Sequence, residues 1–110
     1  MGCLCWRGVI KIPKRTDTNQ TAIVKALRQI GCSVFPTHEI GHGFPDIAVG
    51  YIGKDGTRRT ALVEIKDGTL PPSRKKLTPD EKLFHFGWRG EAVIVYSVDE
   101  AVAYFTREKP

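Results

Sequence analysis

The sequence has no long hydrophobic run. No apolar stretch approaches the roughly 18 to 20 residues that a membrane-spanning helix needs. The first seven residues, Met1 to Arg7, are too short and gain charge too early for a secretory signal. Internal repeats and low-complexity segments are also missing. The 110 residues therefore predict one domain at 16–110, preceded by an N-terminal arm at 1–15.

Cysteine is scarce, with three residues in the chain. Cys3 and Cys5 stand too close together to build a disulfide framework with Cys32 alone. The pattern predicts a reducing, cytoplasmic compartment. Half of a metal site at Cys3 and Cys5 is an alternative, but no second Cys or His pair follows at zinc-finger spacing. Free thiols at a terminus are the preferred interpretation.

Acidic residues are the scarcer charged class. The chain has 17 Lys and Arg against 12 Asp and Glu, a formal net charge of +5 and a sequence pI near 9.3. This balance favours a polyanionic partner, nucleic acid first. Charge alone does not decide the matter, because many basic proteins bind no nucleic acid.

The chain does contain segments in which apolar residues recur at regular spacing, and capping residues or glycine mark the ends of these segments. A short strand is predicted at 9–12, and a helix follows it, capped by Asp17 with Gln20 reaching back to the cap. Gly31 ends that helix. Its core-facing residues recur at helical spacing and are Ile23, Ala26, Leu27 and Ile30.

Three extended segments come next, at 33–37, 45–52 and 59–66. A turn at 53–56 joins the last two into an antiparallel hairpin. Thr78-Pro79-Asp80-Glu81 predicts a capped helix running to about Arg89, and a buried strand at 92–96 leads into a short last helix. The fold class is therefore α/β (α+β): α-β-β-β-α-β plus a C-terminal helix, with a mixed sheet flanked by helices.

The informative pattern lies inside the hairpin. Glu64 and Lys66 share one face of their strand, because side chains alternate along a strand, and Asp46 can face Glu64 from the neighbouring strand. Such residues are almost never buried without partners. Two converging carboxylates suit an oxygen-bound divalent cation such as Mg²⁺, and a lysine beside it can orient water or balance charge. A surface salt bridge is the alternative for any one of these residues, but the set favours a catalytic site.

The same residues carry a resemblance. Gly43-Phe44-Pro45-Asp46 followed by Glu64-Ile65-Lys66 resembles the PD-(D/E)xK nuclease superfamily. Leu77-Thr78-Pro79-Asp80-Glu81 before a helix narrows the resemblance to the VRR-NUC family, small phage and bacterial nucleases related to Holliday-junction resolvases. The similarity runs from about Thr16 to Ala103. It implies a restriction-endonuclease-like core for the domain and, for a phage protein, the cytoplasm of a bacterial host.

The resemblance also implies roles. Asp46, Glu64 and the Ile65 carbonyl would bind Mg²⁺ or Mn²⁺, and Lys66 would be the catalytic lysine. Relatives often carry a glutamate in the first turn of helix one, where this chain has the catalytic candidate Gln20, next to Asn19. A second departure is Glu81, where the family usually has glutamine. These departures leave the catalytic assignment in place but leave metal affinity and DNA contacts open.

The expected function is a metal-dependent endodeoxyribonuclease that hydrolyses DNA phosphodiester bonds and selects branched DNA by shape. The alternative is a non-catalytic DNA-binding module that keeps the nuclease fold, and the uncharged Gln20 is its best argument. A sequence-specific, restriction-type enzyme is less favoured, because the chain offers little material for base-reading loops.

A basic stretch follows the catalytic strand and is the predicted DNA contact. It comprises Arg74, Lys75, Lys76, Lys82 and Arg89. The alternative for these residues is a solvated charged loop. The three histidines are single residues in polar settings, for which solvation is the preferred interpretation.

The second long helix also predicts a homodimer. Its apolar residues cover an arc of about 200°, whereas one packed face uses about 100°. Leu83 and Phe86 are expected to serve the core, which leaves Phe84 and Trp88 for a dimer interface. The alternative is that the N-terminal arm covers these two aromatics within one chain.

Overall fold

The computed structural model of the chain describes residues 19–106. Its elements follow the predicted order: α1 (Gln20–Gln29), β1 (Ser33–Pro36), β2 (Ile47–Ile52), β3 (Arg58–Ile65), α2 (Pro79–Gly87), β4 (Glu91–Val95) and α3 (Val98–Thr106). Two single-turn 3₁₀ helices lie at His38–Ile40 and Pro72–Arg74. No helix within 19–106 is long and apolar enough to cross a membrane. The strand expected at 9–12 and the cap expected at Asp17 lie outside the described residues.

The sheet has four strands in the order β1-β2-β3-β4, so the predicted α+β class is confirmed. Strands β1, β2 and β3 pair antiparallel, and β4 runs parallel to β3. In the β2–β3 hairpin Ile47 pairs with Val63 and Ile52 with Arg58, which confirms the predicted turn. The hydrophobic core lies on one sheet face against α1 and α3, and its fully buried members include Ile23, Leu27, Ile47, Val49, Val63 and Ile65.

Helix α1 begins later than its predicted cap requires. Asn19 is the N-cap residue and makes no side-chain capping bond, so Gln20 is the first helical residue and does not reach back to a cap. Gly31, with φ of +99°, ends the helix as predicted. Ile23 and Leu27 face the core, but Ile30 is exposed, because it is the C-cap residue and lies beyond the last helical turn.

Strand β4 is less buried than its apolar sequence predicts. Only Val95 is buried, and the other four residues are half-buried. The reason is position: among residues 19–106, β4 is an edge strand and has a hydrogen-bonded neighbour on one side only. Its first residue, Glu91, ties it to the rest of the fold by accepting hydrogen bonds from the hydroxyls of Tyr51 and Tyr104.

Helix α2 starts as predicted and ends early. The Thr78 hydroxyl accepts from the Glu81 amide and the Glu81 carboxylate accepts from the Thr78 amide, a complete capping box. The helix ends at Gly87 rather than at Arg89, because Trp88 has an extended backbone (φ −74°, ψ 125°). The prediction for its length was therefore two residues too long.

The apolar faces of α2 are reversed relative to the sequence prediction. Leu83 and Phe86, expected in the core, are 70% and 91% exposed. Phe84 instead stacks on Trp88 (ring centroids 4.9 Å apart) and meets the edge of Phe44 at 5.2 Å. The cause is that α2 packs on the loop before β2, which supplies Phe44. The homodimer stays a prediction, to be tested by light scattering. Leu83 and Phe86 are more accessible to a second copy of the chain than Phe84 is.

The loop that carries Phe44 touches α2 backbone to backbone. Gly41, His42 and Gly43 all have positive φ (78°, 55° and 82°), the left-handed region that favours glycine. A Cβ atom at Gly43 would lie 2.4 Å from the Asp80 carbonyl oxygen, in the first turn of α2. This glycine therefore sets how closely α2 approaches the hairpin.

Replacing Gly43 should separate the loop from α2. We expect Gly43→Ala to lower the free energy of unfolding by about 2 to 5 kcal/mol, the sum of left-handed strain and an added methyl in a filled space. Gly41→Ala is the matched control, because Gly41 also has positive φ but a Cβ there has no neighbour within 4 Å. It should lose only about 1 to 2 kcal/mol. Chemical denaturation measures both, and equal losses would contradict the close-contact argument.

Candidate active site

Asp46 is fixed at the open end of the β2–β3 hairpin. Its amide donates to the Val63 carbonyl (3.0 Å), and its carbonyl accepts from the Thr37 amide (2.8 Å). Its carboxylate oxygen Oδ2 accepts from the Ile65 amide (2.8 Å). The register Ile47↔Val63, continued by one residue, places Asp46 opposite Glu64, as the hairpin pattern predicts.

Glu64 is a buried carboxyl group in an unfavourable place for a charge. Its side chain is 3% exposed, and its Oε2 lies 3.6 Å from the Lys66 ammonium. Its Oε1 is buried without a hydrogen-bond partner. Burial, followed by the neighbouring charges of Asp46 and Glu81, raises the pKa of Glu64 from its ordinary 4.5 to about 9, and Lys66 offsets this only in part. Without a further cation, Glu64 is therefore protonated at neutral pH.

Lys66 has a closer partner than Glu64. Its Nζ donates to Glu81 Oε1 at 2.9 Å, and its side chain is 14% exposed. Burial alone would raise the pKa of Glu81, but hydrogen bonds from the Thr78 amide and from Lys66 outweigh burial and lower it. The site therefore contains one ionised carboxylate that the sequence pattern did not assign to it.

Glu81 was visible in the sequence only as a capping residue and as a departure from the family pattern. Its contact with Lys66 joins residues 15 positions apart. The contact depends on the start of α2 lying beside Lys66 and Gly43, and local periodicity carries no information about that long-range placement. The close packing of Gly43 on Asp80 is the long-range feature that brings Glu81 into place.

His85 also lies closer to the site than its sequence setting predicts. It stands one helical turn after Glu81 and is half-buried, and its Nε2 is buried without a hydrogen-bond partner. Burial lowers the pKa of His85; the charge of Glu81 opposes this and that of Lys66 adds to it. The solvated setting expected for this histidine is therefore wrong.

The start of α1 reaches the same end of the sheet. The Asn19 amide nitrogen donates to the Lys66 carbonyl (3.2 Å) and to the Tyr96 carbonyl (3.3 Å), beyond the ends of β3 and β4. The N-cap residue of α1, Asn19, therefore bonds to the residue that follows β3. The next residue, Gln20, is buried, and its amide oxygen Oε1 has no hydrogen-bond partner.

The donor set fits a hard divalent cation held by few protein ligands. Within residues 19–106 no group of three or more His, Cys, Asp or Glu side chains is arranged to hold a metal ion. Mg²⁺ needs only one or two carboxylates and keeps several waters. Asp46 and Glu64 supply that number, the unpartnered Oε1 of Glu64 is an open acceptor, and β3 ends at the Ile65 carbonyl.

The predicted DNA-contact residues occupy two segments, the loop after β3 and the stretch from α2 to the residues just beyond it. Arg74 and Lys76 are exposed on the loop after β3, and Lys82 and Arg89 are exposed in and after α2. Lys75 differs, because its Nζ donates to the Gly68 carbonyl (3.2 Å) and lies 5.8 Å from the centre of the Tyr96 ring. Lys75 is half-buried, and its ammonium already has contacts within the protein.

Comparison with known proteins identifies no relative: no family model, no curated protein and no solved structure matches this chain.

The buried Glu64 predicts a particular pH dependence of stability. Between pH 4.5 and about 9 the folded chain keeps a proton on Glu64 that the unfolded chain has released. The free energy of unfolding should therefore fall as pH rises across this window, by up to about 1.4 kcal/mol per pH unit. The Glu64→Gln variant has no titrating group at this position. Its free energy of unfolding should therefore depend less on pH and should be higher than that of the wild type at pH 8.

Urea denaturation of both proteins in EDTA, from pH 5.5 to 8.5, gives the comparison. The difference between the two profiles isolates Glu64, because His85 and the other titrating groups are present in both. Parallel profiles would show that the Glu64 carboxyl is ionised in the folded protein.

Proposed function

We propose that this protein is a Mg²⁺- or Mn²⁺-dependent endodeoxyribonuclease. The observation that carries the proposal is the buried carboxyl of Glu64, with an unpartnered oxygen, facing Asp46 across the hairpin and followed by Lys66. Two carboxylates that share so little solvent are costly unless a cation joins them. The motif resemblance to the VRR-NUC family supports the same conclusion.

Asp46, Glu64 and the Ile65 carbonyl would hold the cation. When bound, a divalent cation polarises the phosphoryl group and makes water a better nucleophile at neutral pH. Asp46 is oriented for ligation by its bond from the Ile65 amide, which occupies Oδ2. Glu64 must lose its proton to bind, so metal binding should release a proton and strengthen as pH rises.

Lys66 contributes a positive charge at the same face of the hairpin. Its ammonium can stabilise the extra negative charge on the phosphate as the transition state forms, or orient the attacking water. Its low exposure strengthens both effects, because fewer water molecules screen the charge. The polyanion that the net charge of +5 favours is, in this proposal, DNA.

Selection of branched DNA rests on the family resemblance and on size. A domain of this size offers little material for reading bases, and exposed cations can contact phosphates instead. The exposed cations are Arg74, Lys76, Lys82 and Arg89. A homodimer would bring two active sites to one four-way junction, which suits symmetric cutting.

A non-catalytic DNA-binding module is the second candidate. Two observations favour it: Gln20 adds no negative charge near the site, and the Lys66 ammonium is already bonded to Glu81. Both functions predict DNA binding, and only the first predicts strand cleavage.

Cleavage of labelled linear, flapped, forked and four-way DNAs decides between the two candidates. In Mg²⁺ or Mn²⁺ the wild-type protein should cut at least one branched DNA, and EDTA or Ca²⁺ should suppress cutting. Asp46→Asn, which keeps an acceptor for the Ile65 amide, should abolish cleavage but retain DNA binding. Lys66→Ala should lose about two to four orders of magnitude in rate.

Asp55→Asn is the matched control, because Asp55 is an exposed carboxylate at the far end of the same hairpin. Its cleavage rate should equal that of the wild type. A wild-type rate for Asp46→Asn would refute the site, and no cleavage by the wild type in Mn²⁺ would favour the binding module.

The basic residues predict a salt dependence of binding. Each lost phosphate contact should reduce the slope of log affinity against log salt by about 0.9. Neutralising Arg74, Lys75 and Lys76 should lower the slope for every DNA shape alike, with Lys75 contributing least because of its internal contacts. Fluorescence anisotropy with the uncleaving Asp46→Asn background measures this. An unchanged slope would assign the three residues to the solvated surface.

A further inference from the structure

One oxygen atom joins the start of α2 to Lys66. Oε1 of Glu81 accepts from the Thr78 amide (2.9 Å) and from the Lys66 ammonium (2.9 Å). We propose that Glu81 is a positioning residue, which fixes the Lys66 ammonium over the hairpin and draws it away from Glu64. This inference rests on the proposed nuclease function for its catalytic consequence, but the contact itself can be tested without cleavage.

Lys66 needs such a partner because of its own chemistry. A lysine side chain has four rotatable bonds and a compact charge, so its ammonium has no fixed position unless something holds it. The ammonium lies 2.9 Å from Glu81 but 3.6 Å from Glu64. The shorter contact has hydrogen-bond length and joins two ionised groups, which makes it the stronger of the two.

The charge of Glu81 also matters for Glu64. If Lys66 paired with Glu64 alone, ligation of a cation by Glu64 would have to compete with that pair. Glu81 supplies a second anion for the ammonium, so Lys66 would keep a partner if Glu64 bound a cation. A glutamine at this position could accept the same hydrogen bonds but would remove one of the negative charges close to the ammonium.

Glu81 is itself held in place from two directions. The capping box fixes its side chain to Thr78, and the Thr78 hydroxyl accepts from the Glu81 amide at 3.2 Å. The preceding residue, Asp80, is pressed against Gly43, where a Cβ would overlap its carbonyl group. The position of the Lys66 ammonium therefore depends on the backbone of α2 as well as on the backbone of Lys66, whose amide donates to the Val95 carbonyl.

The test measures Lys66 directly and in the absence of DNA and metal. An amine-reactive acetylating reagent is applied to the folded protein, and the labelling rate of each lysine is read by mass spectrometry, with exposed Lys25 and Lys54 as internal references. We expect Glu81→Ala to speed labelling of Lys66 several-fold and Glu81→Gln to have a smaller effect. Labelling of the two reference lysines should not change.

Two control variants separate positioning from general damage. Asp80→Asn makes the same chemical change at the neighbouring residue, which is exposed. Thr78→Ala removes the hydroxyl of the cap but leaves the backbone amide that bonds Glu81. Asp80→Asn should leave Lys66 labelling at the wild-type rate. Thr78→Ala removes one of the two bonds that hold Glu81, so it should speed labelling of Lys66 by less than Glu81→Ala does and should lower the melting temperature.

Cleavage kinetics then test the catalytic consequence. Glu81→Ala should lower kcat by about 10- to 100-fold, the cost of a displaced catalytic group, and leave KM nearly unchanged, since Glu81 makes no DNA contact in this proposal. Glu81→Gln should recover part of the loss.

The outcomes are separable. Wild-type labelling of Lys66 in Glu81→Ala overturns the positioning role, whatever happens to cleavage. Faster labelling with no cleavage by the wild type supports the contact and refutes the nuclease function. Should Glu81→Ala fail to fold, Glu81→Gln carries the test, because glutamine is also accepted at this capping position.

Discussion

Two carboxyl groups that face each other across a hairpin, Asp46 and Glu64, cannot both be ionised out of water without a nearby positive charge. Several neighbouring groups partly stabilise their negative charge. The Ile65 amide bonds to one carboxylate, and Lys66 lies beside the other. The raised pKa of Glu64 shows that these partners are not sufficient. The negative charge of Asp46 and Glu64 is therefore only partly compensated, and a bound cation would compensate the rest.

The elements that contribute residues to the site differ in how extensively they pack against the rest of the fold. The hairpin and β1 form a continuous hydrogen-bonded unit, with α1 and α3 packed on its core face. Helix α2 has no buried residue, and within residues 19–106 it contacts the rest of the fold through Phe44, the Gly43–Asp80 approach and Glu81. The site is thus assembled from a rigid half that presents the carboxylates and a lightly held half that presents the partner of Lys66.

Sequence reasoning succeeded where structure is determined by neighbours in the chain. The β2–β3 hairpin, the glycine end of α1 and the cap of α2 all depend on contacts within a few residues, so their signals are local. The predictions were wrong where packing between segments far apart in the sequence determines the structure. Gln20 gave no cap because α1 begins later, and the two faces of α2 were exchanged because Phe44, 40 residues before Phe84, took the place of the expected sheet contact. Glu81 and His85 were missed at the site for the same reason, since only the placement of α2 beside Gly43 brings them to Lys66.

The meeting of Gly43 with Asp80 places main chain against main chain, with no side chain between them. The gap between the two halves of the site is therefore set by van der Waals contact between Gly43 and the backbone of Asp80. Redesign of the loop around it has a simple rule. The exposed side chain of His42 can be exchanged for residues that accept its positive φ, such as asparagine, to alter the chemistry beside the site. The spacing of the charged groups should stay constant as long as position 43 remains glycine.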